Sequence, residues 1–185
     1  TPTPSSAASD VYKRQDLYDK EVFKTLRVDN VETIESIDWA PDSRRLALIG
    51  TGYGQSDLYM LDVYTEELEQ LTGSPQREDH PTFSPDGSKI AYSSKYNNQF
   101  DIKIYDIETG QITTAIASPT DDLWPQWLPE GNKILFVSTR EKINDLFVYH
   151  LEEEREYRLT RTLSGVMNPA LSPDGRPVSY THLRA

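Results

Sequence analysis

Residues 83–92 of this chain have the sequence Phe83-Ser84-Pro85-Asp86-Gly87-Ser88-Lys89-Ile90-Ala91-Tyr92. Proline favours the second position of a turn and glycine favours the left-handed conformation, so the Ser-Pro-Asp-Gly segment predicts a tight turn. The apolar residues that follow it are typical of a short β-strand. The segment therefore predicts a turn that joins two antiparallel strands.

The same kind of turn recurs at a constant spacing. The related segments are Ala40-Pro41-Asp42-Ser43, Leu128-Pro129-Glu130-Gly131 and Ser172-Pro173-Asp174-Gly175, with successive prolines 44 residues apart. A fixed period of this size indicates a modular repeat. Serine occupies position 43, where the other copies have glycine, so we expect slight strain in the first turn.

Each repeat predicts four strands, which in the first repeat are expected at about 36–40, 46–50, 57–62 and 66–71. Four short strands per unit of this length form one blade of a β-propeller. The predicted fold is therefore an all-β propeller fragment with four-stranded antiparallel blades and a 44-residue period. Full blades are expected at about 34–72, 78–116 and 122–160, between the last strand of an earlier blade and the start of a fifth.

The ends of the chain do not follow the repeat. We expect residues 16–175 to form the partial propeller, and residues 1–15 and 176–185 to be non-native tails, because both resemble translated sequencing adapters. The alternative is that both are genuine: a polar leader, and a strand to which Val178 and Tyr180 would belong. The sequence contains no run of 18 apolar residues and predicts no insertion into a membrane.

Several columns of the repeat together resemble a known family. The order is an aromatic residue, Ser-Pro-Asp-Gly, an apolar strand, a run such as Asp57–Asp62, and a Leu-Thr pair such as Leu71-Thr72. This pattern resembles the TolB-type, WD40-like β-propeller. The resemblance implies a periplasmic or cell-envelope scaffold that binds proteins such as the peptidoglycan-associated lipoprotein. Similar blades occur in prolyl oligopeptidase-family and tricorn-type serine peptidases, so the alternative is a substrate-gating propeller domain of a larger peptidase.

The sequence contains no recognisable catalytic or metal-binding motif. It has no cysteine and only three histidines, and it lacks the Gly-x-Ser-x-Gly turn of serine hydrolases. The glycine-rich run Gly50–Gly54 lacks the lysine and the helix of a phosphate-binding loop. We therefore predict a non-enzymatic chain with no cofactor and no metal. The net charge of −11 argues against a nucleic-acid partner, which requires a basic surface.

The candidate binding residues lie in the loops before the predicted innermost strands, where propellers commonly bind ligands. An acidic and aromatic rim suits a protein or peptide partner, with Trp124 as an anchor, although ordinary polar loops are the simpler alternative. The candidates for partner binding are Arg77, Glu78, Asp79, His80, Asp121, Asp122, Trp124 and Asn168. We also expect self-association through exposed faces and edges of the end blades.

Overall fold

The structure is a computed structural model that describes residues 11–15, 22–27, 31–140, 142–161, 165–171 and 177–180. The regular structure of these residues consists of β-strands, with no helix among them. Three four-stranded antiparallel sheets follow one another along the chain, with a two-stranded sheet at each end of the series. The predicted all-β fold of four-stranded antiparallel blades is confirmed.

The strands pair in the order in which they occur, so each four-stranded sheet is a meander. The first two-stranded sheet contains β1 (Val11–Gln15) and β2 (Val22–Arg27). Blade 1 contains β3 (Thr33–Trp39), β4 (Arg45–Gly52), β5 (Gln55–Asp62) and β6 (Leu68–Gln70). Blade 2 contains β7 (Arg77–Phe83), β8 (Lys89–Tyr96), β9 (Gln99–Asp106) and β10 (Ile112–Ile116). Blade 3 contains β11 (Asp122–Trp127), β12 (Lys133–Ser138), β13 (Asp145–His150) and β14 (Arg155–Arg158). The last pair is β15 (Met167–Leu171) and β16 (Pro177–Tyr180).

Strands β1 and β16 fall within the segments that the sequence marks as tails. Each pairs antiparallel with a neighbouring strand, β1 with β2 and β16 with β15. The non-native origin of residues 1–15 and 176–185 and the domain limits 16–175 stay predictions.

The repeated turns join the first and second strands of each blade. The N–H of Gly87 donates to the carbonyl of Ser84 at 2.8 Å, and Gly131 and Ser43 make the equivalent bonds to Leu128 and Ala40 at 3.0 Å each. Ser43 has φ 55°, in the left-handed region that Gly87 and Gly131 also occupy. The serine therefore adopts a conformation that its Cβ disfavours. The fourth turn, Ser172–Gly175, lies outside the described residues.

Apolar side chains fill the space between adjacent blades. Leu46 and Leu48 of β4 belong to one cluster, whereas Ala47 and Ile49 on the opposite face belong to a second cluster with Phe83 and other residues of blade 2. A third cluster joins residues of blade 2 to Trp127 and other residues of blade 3. Blades 1 and 2 and blades 2 and 3 therefore pack face to face, as the apolar character of both strand faces predicts.

Candidate functional site

The first strand of each blade carries a β-bulge. The first strands lie beside one another in the order β3, β7, β11 and β15, so they form the inner edges of the blades. The register of each first strand shifts against the second strand of the same blade, between Asp79 and Thr82 in β7 and between Leu123 and Gln126 in β11. Two residues on the bulged strand oppose one on its partner at each of these points.

The bulges explain the second proline column of the sequence. The bulged pairs are His80-Pro81, Trp124-Pro125 and Asn168-Pro169, each 44 residues after the last. Proline has no N–H to contribute to a sheet and is tolerated at a bulge, where no ladder hydrogen bond is required. His80 and Trp124 have φ values of 49° and 54°, which turn their backbone out of the regular strand.

Side chains of neighbouring strands accept the N–H groups that the bulges divert. The N–H of His80 donates to Oγ of Ser36 at 3.1 Å, and the N–H of Trp124 donates to Oγ of Ser93 at 3.1 Å. In addition, the N–H of Phe83 donates to Oδ2 of Asp38 at 2.7 Å. The contacts from Ser36 and Asp38 join the inner strands of blades 1 and 2, so the positions of the bulges are coupled.

The bulged strands enclose a cavity of about 280 Å³. Its walls are formed by residues 36–38, 80–82 and 124–126, together with Pro169. The rings of His80 and Trp124 meet edge to face, with centroids 5.8 Å apart and an interplanar angle of 71°. The bulges thus place an aromatic pair and three prolines around a small opening at the inner edges of the blades.

Two polar side chains of the cavity wall retain unused capacity to accept hydrogen bonds. Burial raises the pKa of the Asp38 carboxyl above its usual value, against the opposing effect of hydrogen bonds from the Phe83 N–H, the Trp39 N–H and the Thr82 hydroxyl. Among the described residues, Asp38 forms no ion pair with a lysine or arginine. Oε1 of Gln126 is buried and has no hydrogen-bond partner among the residues that the structure describes. The cavity is therefore a site that favours hydrogen-bond donors and positive charge.

Glu78 is buried between blades 1 and 2 and does not line the cavity. Its side chain is 1% exposed, and its Oε2 accepts hydrogen bonds from the Leu58 N–H at 2.9 Å and from Oγ1 of Thr72 at 2.5 Å. Burial raises the pKa of the Glu78 carboxyl to about 7, and the nearby charge of Asp57 acts in the same direction. The geometry gives Glu78 a structural contact across the blade interface.

Asp122 occupies the equivalent position of blade 3, 44 residues after Glu78. Its side chain is fully buried, and burial raises the pKa of its carboxyl. One guanidinium nitrogen of Arg140 lies 3.4 Å from Oδ1 of Asp122, and Arg140 also contacts Glu156 of β14. The Arg140 guanidinium lies 4.9 Å from the ring centre of Phe147. Asp122 is thus part of the interior of blade 3.

The other predicted binding residues are distributed along the same strand ends. Arg77 is exposed and lies 3.4 Å from Glu35 of blade 1, and Oδ1 of Asp79 lies 2.9 Å from Nδ1 of His80. Oδ1 of Asp121 accepts the N–H of Phe100 at 3.0 Å. Asn168 belongs to β15, and its side chain lies outside the described part of the structure. Of the seven candidates whose side chains the structure describes, His80 and Trp124 line the cavity.

Several cavity residues escaped the sequence analysis. Ser36, Asp38 and Gln126 were not among the candidates, yet they line the cavity with His80 and Trp124. The signal was available in the repeat, because positions 36–38, 80–82 and 124–126 are equivalent triplets around the second proline column. The sequence predicts binding residues in loops, whereas the cavity is lined by strand residues at the bulges.

Metal-binding clusters and membrane-spanning helices are both absent from the residues that the structure describes. No group of three or more His, Cys, Asp or Glu side chains among them is arranged to hold a metal ion. Within the same residues, no helix has the length and apolar character needed to span a membrane.

Face-to-face blades with bulged inner strands define a β-propeller, and comparison with known proteins identifies the family. The sequence model of the TolB beta propeller domain matches residues 18–185. The chain therefore belongs to the TolB beta propeller domain family, as the sequence resemblance predicts.

Solved structures agree with this assignment. The crystal structure of TolB from Acinetobacter baumannii is similar with a TM-score of 0.82 and 25% identity, over 93% of this chain and 43% of that one. A putative TolB from Agrobacterium tumefaciens has a TM-score of 0.81 and 23% identity, over 92% of this chain and 63% of that one. Puromycin hydrolase shares the fold with a TM-score of 0.70 and 15% identity, over 84% of this chain and 26% of that one. The chain thus spans less than two thirds of each of these relatives.

Proposed function

We propose that the chain is a non-catalytic propeller scaffold that binds an extended segment of a protein or peptide at the inner-strand bulges. The observation that carries this proposal is the cavity that His80 and Trp124 line. Aromatic side chains in small pockets are the usual anchoring points of protein interfaces. The 280 Å³ volume suits one or two side chains of a partner.

The roles of the eight candidate residues follow from their positions. His80 and Trp124 contact the partner directly, and Asn168 extends the same column into the next strand. Exposed Arg77 and half-buried Asp79 and Asp121 lie at or beside the ends of the inner strands, where they meet the flanking parts of the segment. Glu78 and Asp122 support the site from within the blades.

A peptide-display selection against the whole chain tests the proposal. Selected peptides are synthesised, and their affinities are measured for the wild type and for Trp124→Asn. Asparagine tolerates the left-handed backbone and occupies the same column at position 168, so this variant removes the ring without straining the bulge. The matched control is Tyr64→Ala, which removes an exposed aromatic ring from the turn between β5 and β6.

We expect Trp124→Asn to lower the affinity for the selected peptides by about tenfold or more, because the variant lacks the aromatic anchor. Tyr64→Ala should leave their affinity unchanged. Selection of no peptides, or equal binding to both variants, would contradict the proposal. Circular dichroism of both variants shows that the β-structure is retained.

A second candidate function is a substrate-gating propeller domain in a larger serine peptidase. The fold shared with puromycin hydrolase is the observation that favours it. The sequence of the full-length gene distinguishes the two candidate functions. A neighbouring α/β-hydrolase domain with the Gly-x-Ser-x-Gly turn would support the peptidase, and further blades alone would support the scaffold.

We further propose that the full-length protein acts in the periplasm or cell envelope. Membership of the TolB beta propeller domain family supports this location. Fractionation of cells that express the tagged full-length gene tests it. Recovery of the protein in the cytoplasmic fraction alone would contradict the location.

A further inference from the structure

We infer that the cavity at the inner-strand bulges takes a basic group, the side chain of a lysine or arginine, from the bound segment. This inference rests on the proposed function, because it names the chemistry of one side chain of that segment. The cavity combines a half-buried carboxylate, a buried acceptor with no partner among the described residues, and an aromatic wall.

Asp38 supplies the negative charge. Its carboxylate is half-buried in the cavity wall, and one of its oxygens accepts the Phe83 N–H at 2.7 Å. The Trp39 N–H and the Thr82 hydroxyl also donate to this carboxylate. A carboxylate offers about four acceptor positions, so about one remains for a ligand. No cationic side chain of the described residues forms an ion pair with it. Partial removal of a charge from water is unfavourable unless a partner compensates it, and a cationic ligand is such a partner.

Gln126 of β11 supplies a second acceptor in the cavity wall. Its Oε1 is buried without a hydrogen-bond partner among the described residues, which is costly for a polar atom. A ligand with several N–H donors satisfies this oxygen and the Asp38 carboxylate together. Ammonium and guanidinium groups have three and five donors, respectively, and accept no hydrogen bonds.

Trp124 supplies the apolar and aromatic wall. Its ring packs edge to face against His80, beside the three prolines at positions 81, 125 and 169. The long methylene stem of lysine or arginine packs well on such a surface, and the cationic group is attracted to the face of an indole. The net charge of −11 also attracts a basic segment towards the molecule.

Capped tripeptides provide a probe that is independent of any selected partner. The probes are acetyl-Gly-Lys-Gly-amide and acetyl-Gly-Arg-Gly-amide, and the matched control is the norleucine peptide, which has the same stem without charge. Binding to the whole ¹⁵N-labelled chain is followed through the indole N–H signal of Trp124. The chain has three tryptophans, and a Trp124→Phe spectrum identifies this signal.

We expect the lysine and arginine peptides to shift the Trp124 signal with about tenfold higher affinity than the norleucine peptide. Asp38→Asn keeps the acceptor for the Phe83 N–H and removes the charge, so it should reduce this preference to about twofold or less. Glu108→Gln removes an exposed carboxylate elsewhere in blade 2 and should leave the preference intact. Added salt should weaken the binding of the lysine and arginine peptides and leave the affinity of the norleucine peptide unchanged.

Equal affinity for the norleucine and basic peptides, no shift with the basic peptides, or an unchanged preference in Asp38→Asn would overturn the inference. Gln126→Met is a second variant that retains the side-chain size, and we expect it to lower the preference severalfold. If peptides selected by display require Trp124 but show no preference for a basic residue, the proposed function stands and this inference fails. If the basic tripeptides bind but no selected peptide depends on Trp124, the proposed function fails instead.

Discussion

Replacement of Glu78 by glutamine should remove a pH dependence of stability that the blade interface creates. Glu78 is buried between blades 1 and 2, and its Oε2 accepts hydrogen bonds from the Leu58 N–H and from Thr72. Glutamine retains a side-chain oxygen that can accept both bonds, and it remains neutral at every pH. The comparison therefore isolates the charge of one buried carboxyl.

The magnitude follows from the shift in pKa. The Glu78 carboxyl has a pKa of 4.5 in its unperturbed state and about 7 in the folded protein. Between these values the folded state binds more protons than the unfolded state, so stability falls as pH rises. The full stabilisation of the protonated form is present below pH 4.5 and is lost as pH rises through about 7. Each pKa unit corresponds to about 1.4 kcal/mol, so the total loss is about 3 kcal/mol.

Urea unfolding of the wild type and of Glu78→Gln between pH 5 and pH 8 measures this effect. We expect the wild type to lose about 2.5 kcal/mol relative to the variant between pH 5 and pH 8, because a small part of the total loss has already occurred at pH 5. Other carboxyls titrate in both proteins, so their contributions cancel in the difference. Glu108→Gln, which removes an exposed carboxylate, should differ from the wild type by the same small amount at both pH values. If the difference in free energy of unfolding between wild type and Glu78→Gln does not change with pH, or changes in favour of the wild type, the raised pKa of Glu78 is contradicted.

The other predictions concern stability, and each is measured by the same urea unfolding at fixed pH. Ser43→Gly should raise the free energy of unfolding by about 1 kcal/mol, because glycine adopts the left-handed φ of 55° without a steric cost; the reverse change, Gly131→Ser, should lower it by about as much. Tyr53→Asn should also stabilise the chain, by up to about 1 kcal/mol, because Tyr53 has φ 54° and a side chain that is 91% exposed. Asparagine occupies the equivalent hairpin position at residue 97. A loss of stability would show that the tyrosine ring contributes to the fold. Phe83→Ala should cost about 3–5 kcal/mol because Phe83 lies in the cluster between blades 1 and 2, whereas alanine at the exposed Ile112 should cost less than about 1 kcal/mol; equal costs would contradict the packing of the blades.

The repeat made the fold predictable because the turn chemistry is visible in single residues. Proline and glycine limit the backbone strongly, and their constant spacing placed the strand pairs in register without any structural information. The exposed serine at position 43 could likewise be predicted to adopt an unfavourable conformation, and its φ of 55° confirms that prediction.

The candidate site was harder to predict because burial is a property of the assembled blades. The polar side chains of Glu78 and Asp122 are typical of loop residues. However, the equivalent repeat positions hold Ile34 and Val166, and these apolar residues indicate an interior position. The bulges were also missed. The proline column was apparent, but the left-handed backbone of His80 and Trp124 results from strand pairing that the sequence does not specify locally. The repeat marks Asp38 and Gln126 as equivalent positions, but only the assembled inner strands show that both line one cavity.

Paramagnetic broadening distinguishes a partner segment held at the inner-strand bulges from one held at the outer edges of the blades. A nitroxide is attached to the end of a display-selected peptide, and the ¹⁵N-labelled chain is observed by NMR. We expect the strongest loss of signal at the backbone amides of His80, Trp124 and Gln126. Strongest broadening at the outer strands β10 and β14, with the bulge signals unchanged, would contradict binding at the bulges.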